Sequence, residues 1–359
     1  MIKKVGLIYG GKSVEHDISI KSAVNIYQNA DKNKLEIIAI GIDKNGKWFL
    51  NSEPNPDIAK GDPLHWKFDS QSPDLINTRT NECIGLDVVF PIVHGTDGED
   101  GNIQGLFNTL NLPIVGTNVL GSALCIDKVY SKLILEKFGI PVTKYAYFNK
   151  SQQTEITFQS VVNKIGLPFI SKPANLGSSV GVMKVKTEDD FKKAIKEAFT
   201  YDEKVLFEEF ISGRELECAI LGNDNPMASE PGEIVIDESY EFYTFEAKYV
   251  DPLAVKINVP AIIDSEIAQQ IKKHSIEAFK ALACDDFARV DIFLSDDGKI
   301  YINEINTLPG FTNSSMFPSL WKEKGISYNE LINQLVEMAI DRFHQKNEKQ
   351  RKFDSIFSQ

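Results

Sequence analysis

The sequence predicts an α/β domain at the amino terminus and an antiparallel β-hairpin near the carboxyl terminus. The α/β assignment rests on the order strand, turn and helix: an apolar run at Val5–Tyr9, then Gly10-Gly11, then a helical pattern over residues 14–30. The hairpin assignment rests on two β-branched apolar runs that flank Asp296-Asp297-Gly298. Asp-Gly between such runs strongly favours a tight turn. The chain is therefore expected to combine parallel and antiparallel β-structure with helices.

Length and composition narrow the class of protein. The 359 residues suggest two or three domains, and 42% hydrophobic with 25% charged residues is typical of a soluble globular protein. The net charge of -12 argues against a broad basic surface for nucleic acid. The four cysteines form no C-x-x-C pattern, which indicates neither zinc nor a disulfide framework and fits a reducing compartment. No apolar run is long enough for a signal peptide or a membrane span, so we expect a cytoplasmic protein that does not engage membranes.

The remaining elements follow from the same patterns along the chain. We predict strands at 35–42, 47–50 and 87–93, a helix over 102–110, an edge strand at 113–116, one helix over 118–138, a helix over 190–200, a strand over 204–211, and helices over 265–282 and 328–343. Residues 51–82 match no pattern, and residues 345–359 form a polar tail. Residues 6–13 match the P-loop pattern literally, but Leu7–Tyr9 looks like a strand and not an anion-binding loop.

The predicted hairpin collects polar side chains on one face. With a two-residue turn at Asp297-Gly298, the facing pairs are Asp296 with Lys299, Asp291 with Glu304, and Arg289 with Asn306. Two carboxylates and an amide offer only oxygen ligands, which suit Mg²⁺ held together with substrate phosphates, and Arg289 could hold an oxyanion. For the hairpin taken alone, a solvated face with a cross-strand salt bridge remains an alternative.

The run Glu304-Ile-Asn306-Thr-Leu-Pro-Gly310-Phe-Thr resembles the carboxyl-terminal signature of the ATP-grasp enzymes, most closely that of the D-alanine–D-alanine ligases. The resemblance extends from Gly10 to about Phe343, with the main motifs in family order. It implies a Rossmann-like (pre-ATP-grasp) α/β domain at 1–124 that binds substrate. Two α+β lobes of an ATP-grasp fold then follow at 125–212 and 213–343, the second with the metal and substrate site, before a tail at 344–359.

Two motifs in the amino-terminal domain resemble family segments that bind substrate. In Gly10-Gly-Lys-Ser-Val-Glu15-His, Glu15 could simply cap a helix, but the resemblance implies that it binds the ammonium group of the first substrate. The run His94-Gly-Thr-Asp-Gly-Glu99-Asp-Gly lies at a predicted strand end, where ligands collect in α/β sheets. The resemblance implies a substrate-side role for His94 and Glu99, and for His94 alone a tight turn with an ordinary histidine is an equal alternative.

Two lysines and a glycine-serine loop are expected to hold nucleotide phosphates. Lys128 would ordinarily be a solvated helix lysine, whereas the resemblance makes it the first of two phosphate-binding lysines. Lys172 closes a predicted strand, and the following loop, with Ser178 and Ser179, can fold over the β- and γ-phosphates. The resemblance also implies an adenosine pocket, with Glu208 at the exocyclic amine, Phe210 and Ile211 around the base, and Glu215 at the ribose hydroxyls.

Further roles follow only from the resemblance. The run Glu246-Ala-Lys248-Tyr249, otherwise an aromatic surface loop, would be a lid in which Lys248 reaches the phosphates and Tyr249 hydrogen bonds with Ser178 and Glu15. Ser315 would bind the carboxylate of the second substrate, beside Met316, which replaces a more usual Leu of similar volume. Arg289 and the Gly310 N–H would lie at the tetrahedral oxyanion.

The resemblance implies a reaction and its cofactors. It predicts ATP-dependent joining of two D-alanines through a D-alanyl phosphate for peptidoglycan synthesis, with two Mg²⁺ ions that Mn²⁺ can replace, in a possible homodimer. Two alternatives remain open. One is a related ligase with another second substrate such as D-lactate. The other is a nucleotide-binding module without chemistry, which is disfavoured because all the residues expected at the metal and phosphates are present: Asp291, Glu304, Asn306, Lys128 and Lys172.

Overall fold

A computed structural model describes residues 2–68, 74–237 and 255–349. Its strands are β1 (Lys3–Gly10), β2 (Leu35–Ile42), β3 (Trp48–Asn51), β4 (Asp62–Lys67), β5 (Asp74–Asn77), β6 (Glu82–Ile84), β7 (Val88–Pro91), β8 (Tyr145–Asn149), β9 (Phe169–Pro173), β10 (Met183–Val185), β11 (Lys204–Glu209), β12 (Gly213–Leu221), β13 (Met227–Ala228), β14 (Gly232–Ile236), β15 (Val255–Asn258), β16 (Phe287–Ser295) and β17 (Ile300–Asn306). Its α-helices are α1 (His16–Asn29), α2 (Asn102–Thr109), α3 (Val119–Ile126), α4 (Lys128–Lys137), α5 (Phe158–Ile165), α6 (Glu188–Tyr201), α7 (Ser265–Ala281), α8 (Met316–Glu323) and α9 (Tyr328–Asn347).

The first sheet has seven strands in the order β6-β5-β4-β3-β2-β1-β7, and β1 pairs in parallel with both β2 and β7. The predicted strand, glycine turn and helix are confirmed: Leu7–Tyr9 lies inside β1, and Gly10 has a φ of +91° as the chain turns towards α1. Because β1 and β7 run in the same direction, the segments that follow them, residues 11–15 and 94–99, meet at one edge of the sheet.

Residues 51–82, which matched no sequence pattern, extend this first sheet. They contain a short 3-10 helix at Ile58–Lys60. They also contain the strands β4 and β5 and the start of β6, and each of these strands pairs antiparallel with its neighbours. The strands are short and carry polar and proline residues, so alternation was too weak to detect. The edge strand predicted at 113–116 is wrong, since Ile114 makes only a single parallel bridge with Val89.

The single helix predicted over 118–138 is also wrong, because helix α3 ends at Ile126 and helix α4 begins at Lys128. Asp127 is extended, with φ -83° and ψ 97°, and its Oδ1 accepts hydrogen bonds from the amides of Val129 and Tyr130. It therefore caps the amino terminus of α4, and it also forms an ion pair with Lys204. The Asp127 carboxylate thus gives these two amides a partner in place of helix carbonyls, which favours a new helix start at this point.

Two further sheets form the rest of the described structure. A four-stranded sheet has the order β10-β9-β11-β8, and α5 and α6 bury apolar side chains on it, including Val161 and Phe191. A larger sheet follows the order β15-β14-β12-β16-β17, with β13 paired to β12. Helix α7 packs on one face of that sheet through Ile271 and Phe279. These antiparallel sheets agree with the α+β lobes expected for the carboxyl-terminal two thirds of the chain.

The hairpin of β16 and β17 is confirmed, but its turn differs from the prediction. Asp291 pairs with Glu304 and Arg289 with Asn306, as expected. At the turn, however, Ser295 and not Asp296 faces Lys299, so three residues, 296–298, lie between the facing pair. A register shift just after Asp291 compensates for the extra turn residue. The predicted pairs at the site are therefore correct although the predicted turn is not.

Helix α9 fixes the amino-terminal sheet to the hairpin sheet. Arg342 forms ion pairs with Asp285 and the fully buried Asp286, and it donates hydrogen bonds to the carbonyls of Ile114 and Gly116. A guanidinium that satisfies groups from both sheets holds their relative orientation. Within residues 2–68, 74–237 and 255–349, no helix has the length and apolar character needed to cross a membrane.

Candidate active site

The amino-terminal glycine turn and the loop after β9 meet through a side-chain hydrogen bond. The Ser178 hydroxyl donates to the carboxylate of Glu15, although the two residues are 163 positions apart. Ser178 and Ser179 both have positive φ values, 55° and 57°, so the loop bends sharply at this point. The Glu15 carboxylate lies so close to Gly95 that an added Cβ there would be 2.7 Å from Oε2. Three segments therefore converge on one carboxylate.

His94 and Glu99 form a buried pair beside Glu15. Nδ1 of His94 is 3.5 Å from Oε1 of Glu99, and the His94 side chain is only 5% exposed. Burial opposes a positive charge on His94, but Glu99, Glu15 and the Leu308 carbonyl together raise its pKa above the ordinary value. Burial, with the nearby charge of Glu15, also raises the pKa of Glu99 despite its contact with His94. Both shifts favour the retention of a proton by this pair.

The polar face of the hairpin is held together by two basic side chains. Arg289 donates two hydrogen bonds to Asp291, at 2.6 and 2.7 Å, and also lies 3.1 Å from Glu217. Lys128 pairs with Glu304 at 3.2 Å. Arg289 thus pairs with Asp291 on its own strand and with Glu217 on β12, the neighbouring strand on the other side of β16. The carboxylates of Asp291 and Glu304 lie opposite each other by register, where they would repel without these partners.

A buried cluster of two lysines and one glutamate joins α4, β9 and β11. Glu208 is 2% exposed and forms ion pairs with both Lys132 and Lys172, and Thr143 donates a hydrogen bond to it. Burial disfavours the charged carboxylate, but the two ammonium groups outweigh this and lower the pKa of Glu208 to about 2. Burial lowers the pKa of Lys132, whereas for Lys172 the attraction of Glu208 and Glu304 exceeds the effect of burial and raises the pKa.

Sequence reasoning did not identify Lys132, Thr143 or Glu217 as parts of this region. Lys132 lies one helical turn after Lys128 on α4, so the i, i+4 spacing was a usable signal that both lysines point the same way. Thr143 and Glu217 carried no such signal. Thr143 precedes β8, which pairs with β11, the strand of Glu208, and Glu217 on β12 pairs with Asp291 on β16, so both positions depend on strand pairing between distant parts of the chain.

The segment expected to surround adenosine lies at the end of β11 and the start of β12. Phe210 follows β11 and lies under the ammonium group of Lys184, which is 3.6 Å from the ring centroid. Ile211 lies between the two strands, and Glu215 pairs with Ile234 in the hairpin sheet. The Phe210 ring and the Lys184 ammonium group thus form a cation–π contact beside the segment that links β11 to β12. The large cavity beside the hairpin is not lined by this segment, nor by Asp291, Lys172, Ser179 or Glu208.

A cavity of about 1100 Å³ brings the other predicted residues together. It lies between the amino-terminal domain, the loop after β9 and the hairpin. The predicted residues that line it are Glu15, His94, Glu99, Lys128, Ser178, Arg289, Glu304, Asn306, Gly310, Ser315 and Met316. Lys248 and Tyr249, the expected lid residues, fall outside the described residues. Carboxylates, cations and backbone donors from three parts of the chain thus face a single space.

The loop after β17 carries Gly310, Ser315 and Met316 to the cavity wall. The Leu308 amide donates to the Asn306 side chain, and the Thr312 amide donates to the Ser315 hydroxyl. Met316 begins helix α8 and is buried. An added Cβ at Gly310 would be 2.9 Å from the Ser315 hydroxyl, so glycine allows these two groups to lie close together.

Comparisons with known proteins decide the family. The family model described as D-ala D-ala ligase C-terminus matches residues 134–337, and that described as D-ala D-ala ligase N-terminus matches residues 4–117. The chain belongs to the D-alanine–D-alanine ligase family. The chain is 46% identical to a D-alanine–D-alanine ligase of Oceanobacillus iheyensis, with 95% of this chain and 96% of the relative covered. It is 43% identical to D-alanine–D-alanine ligase A of Escherichia coli K12, with 94% and 96% covered.

Solved structures of ligases have the same fold. The D-alanine-D-alanine ligase from Coxiella burnetii is similar with a TM-score of 0.85 and 38% identity, covering 96% of this chain and 97% of that one. The VanG D-Ala:D-Ser ligase from Enterococcus faecalis is similar with a TM-score of 0.84 and 32% identity, covering 94% and 100%. The expected fold, an ATP-grasp enzyme with an amino-terminal α/β domain, is therefore confirmed.

Replacing Glu208 by Gln should destabilise this ligase strongly, because Lys132 and Lys172 would keep buried charges without a counter-charge. We expect the free energy of unfolding at pH 7 to fall by about 3–5 kcal/mol. The contribution of the carboxylate is fully present above about pH 4.5, its unfolded pKa, and is lost as the pH falls towards 2. Urea unfolding at pH 7 and pH 4 measures the difference between the two proteins.

The matched control is Glu203→Gln, which removes the same charge from a side chain that is 80% exposed and pairs with Lys150. It should change the free energy of unfolding by less than about 1 kcal/mol. Equal effects of the two substitutions would show that Glu208 does not balance the buried lysines.

Proposed function

We propose that the protein joins two molecules of D-alanine into D-alanyl-D-alanine, with ATP converted to ADP and phosphate, as a step in peptidoglycan precursor synthesis. The observation that carries the proposal is the single cavity in which a carboxylate (Glu15), two cations (Lys128 and Arg289) and the Gly310 loop face one another. An amino-acid ligase needs these groups: an anion for an ammonium group, and cations for phosphates and carboxylates. The family to which the chain belongs is that of ATP-dependent ligases.

The chemistry explains why ATP is required. A carboxylate cannot accept an amine directly, because an oxide ion would have to leave. Transfer of the γ-phosphoryl group to the carboxylate of the first D-alanine gives an acyl phosphate. The amine of the second D-alanine then attacks that carbonyl, and phosphate leaves from the tetrahedral intermediate. No bond between enzyme and substrate is needed.

Positions in the cavity support a role for each residue at the two amino acids. Glu15 would bind the first ammonium group, with His94 and Glu99 on the same side, and Ser315 beside Met316 would bind the second carboxylate. Arg289 and the Gly310 N–H would stabilise the oxyanion, each contributing about 3 kcal/mol to the transition state. Ser178, hydrogen bonded to Glu15, is a candidate relay for the proton of the attacking amine.

The nucleotide would lie between the two carboxyl-terminal lobes. Lys128, Lys172, Ser178, Ser179 and the lid residue Lys248 would hold phosphates. Glu208 with Phe210, Ile211 and Glu215 would surround adenosine. In this arrangement the buried lysine pair keeps Glu208 ionised, so that it can accept a hydrogen bond from an exocyclic amine.

The donor set on the hairpin fits Mg²⁺. Asp291, Glu304 and Asn306 offer two carboxylates and an amide oxygen, and among the described residues no three His, Cys, Asp or Glu side chains form a metal cluster. Mg²⁺ commonly uses one or two carboxylates and completes its shell with water and phosphate oxygens. Two Mg²⁺ ions, replaceable by Mn²⁺, would neutralise charge on the phosphoryl group during transfer. The same three residues would hold them.

Other features are proposed from the family and the sequence. We infer domains at 1–124, 125–212 and 213–343 with a tail at 344–359, a homodimer, and a cytoplasmic location. D-alanine is favoured over D-lactate as second substrate because relatives that are 43–46% identical to this chain are named D-alanine–D-alanine ligases.

Phosphate release should distinguish the substrates. With ATP and Mg²⁺, D-alanine should stimulate phosphate release by at least about tenfold over the rate without amino acid. L-alanine should not stimulate release, because the binding groups of the cavity have a fixed chiral arrangement that distinguishes the two enantiomers. The product formed from D-alanine alone should be the dipeptide. Equal release with both enantiomers, or preference for D-lactate as acceptor near pH 7, would contradict the proposal.

Replacing Arg289 by Ala should reduce kcat/KM by about 100- to 1,000-fold, because one donor to the oxyanion is lost. Steady-state assays of dipeptide formation measure the change, and thermal unfolding confirms that the variant is folded. Arg79→Ala removes a guanidinium that pairs with Asp62 in the amino-terminal sheet and should leave kcat/KM unchanged. A fully active Arg289→Ala enzyme would remove Arg289 from the catalytic residues.

A further inference from the structure

Phe311, which directly follows Gly310, is held by side chains from helices at opposite ends of the chain. Its amide donates to the Ser22 hydroxyl at 3.3 Å, and its carbonyl accepts from the Asn25 amide group at 2.7 Å. Tyr328, at the start of α9, donates to the same carbonyl at 2.5 Å. Ser22 and Asn25 lie one turn apart on α1 and are 0% and 5% exposed. Both backbone polar groups of Phe311 are therefore satisfied by side chains and not by the backbone of another segment.

Leu308, the residue before Pro309, is held by the hairpin, since its amide donates to the Asn306 side chain at 2.9 Å. The backbone of Gly310 therefore lies between two fixed points, Leu308 and Phe311. The Ser22 hydroxyl, which accepts from the Phe311 amide, also lies 3.1 Å from Nε2 of His94.

The ring of Phe311 anchors the same loop from below. It packs edge-to-face with Phe90 of β7 at 5.9 Å and with Phe287 of β16 at 5.7 Å, and it is fully buried. Packing of the ring fixes the position of the loop. It does not fix the orientation of the peptide groups on either side of Phe311, because the side-chain bonds between the ring and the backbone can rotate. The hydrogen bonds to the Phe311 amide and carbonyl determine the orientation of that plane.

We propose that Ser22 and Asn25 are positioning residues that orient the Gly310–Ser315 loop for the attack of the second amino acid. The inference rests on the proposed function, in which the Gly310 N–H stabilises the oxyanion and Ser315 binds the second carboxylate. Neither Ser22 nor Asn25 needs to touch substrate for this role. They hold the amino-terminal domain, which binds the first amino acid through Glu15, in a fixed position relative to the loop that binds the second amino acid.

The two chemical steps should respond differently to loss of these contacts. Phosphoryl transfer uses the lysines and the hairpin carboxylates, which have no hydrogen bond to Phe311 in the described part of the chain. Amide formation uses the loop itself, and a displacement of about 1 Å costs about 100-fold in rate in such geometry. Slower amide formation without slower phosphoryl transfer is therefore the result expected for a positioning residue.

Asn25→Ala and Ser22→Ala are the test variants, and Ser19→Ala is the matched control. Ser19 is on the same helix, is 0% exposed, and hydrogen bonds instead to the Gly10 amide and the Ile92 carbonyl. Dipeptide formation gives kcat and separate Michaelis constants for ATP and for the first and second D-alanine. Exchange of ¹⁸O between the β,γ-bridging and non-bridging positions of ATP, measured with D-alanine present, reports acyl phosphate formation alone.

We expect Asn25→Ala to lower kcat by about 10- to 100-fold and to raise the Michaelis constant of the second D-alanine. The Michaelis constant of ATP should change by less than about twofold, and the isotope exchange should be unchanged or faster, because a slower second step lets more acyl phosphate return to ATP. Ser22→Ala should act in the same direction, and Ser22→Thr, which keeps the hydroxyl, should recover most of the loss. Ser19→Ala should lower thermal stability without separating exchange from dipeptide formation.

Parallel loss of exchange and dipeptide formation in folded Asn25→Ala and Ser22→Ala would overturn the proposal, as would unchanged kinetics. If Asn25→Ala does not fold, Ser22→Ala decides by the same criterion. A lack of exchange in the unaltered enzyme would contradict the acyl phosphate route of the proposed function. In that case a rise of at least fivefold in the Michaelis constant of the second D-alanine alone would still support the positioning role, and no such rise would overturn it.

Discussion

The structure depends on the neutralisation of two carboxylates that face each other across one hairpin. Asp291 and Glu304 are cross-strand neighbours, a placement that repulsion disfavours unless positive charge is nearby. Arg289 from the same strand and Lys128 from α4 supply that charge. The hairpin thus requires positive charge around it, which basic side chains supply here and which metal ions could also supply. The same basic side chains would attract a polyphosphate, and the Lys128–Glu304 ion pair joins α4 to the hairpin.

The cavity exists because distant segments are fixed by short polar contacts and not only by apolar packing. Ser178 reaches Glu15 from the sheet of β8–β11, and Arg342 joins the amino-terminal sheet to the hairpin sheet. Each such contact is partly or fully buried, where a hydrogen bond to a charged group stabilises more than it would in water. The result is a site whose walls come from three sheets but whose groups have defined directions.

The sequence was sufficient for local features and for the facing pairs of the hairpin. The glycine turn after β1, Lys172 at the end of β9, and the pairs Asp291–Glu304 and Arg289–Asn306 were all predicted correctly. The hairpin pairs were correct because an extra turn residue and the register shift after Asp291 cancel, which period-two alternation cannot reveal. The break at Asp127 was missed because apolar periodicity continues through it, although an aspartate before a helical run is a cap signal.

Contacts across the chain could not be read from local patterns. Ser22, Asn25 and Glu217 act through partners far along the sequence, and only tertiary packing brings these groups together.

The most direct test of the account is a crystal structure with Mn²⁺ and a non-hydrolysable ATP analogue, with anomalous scattering used to locate the metal. The account predicts metal within about 2.0–2.6 Å of oxygens from Asp291, Glu304 and Asn306, in contact with the terminal phosphates. Metal and phosphates bound elsewhere, with these side chains turned away, would contradict it.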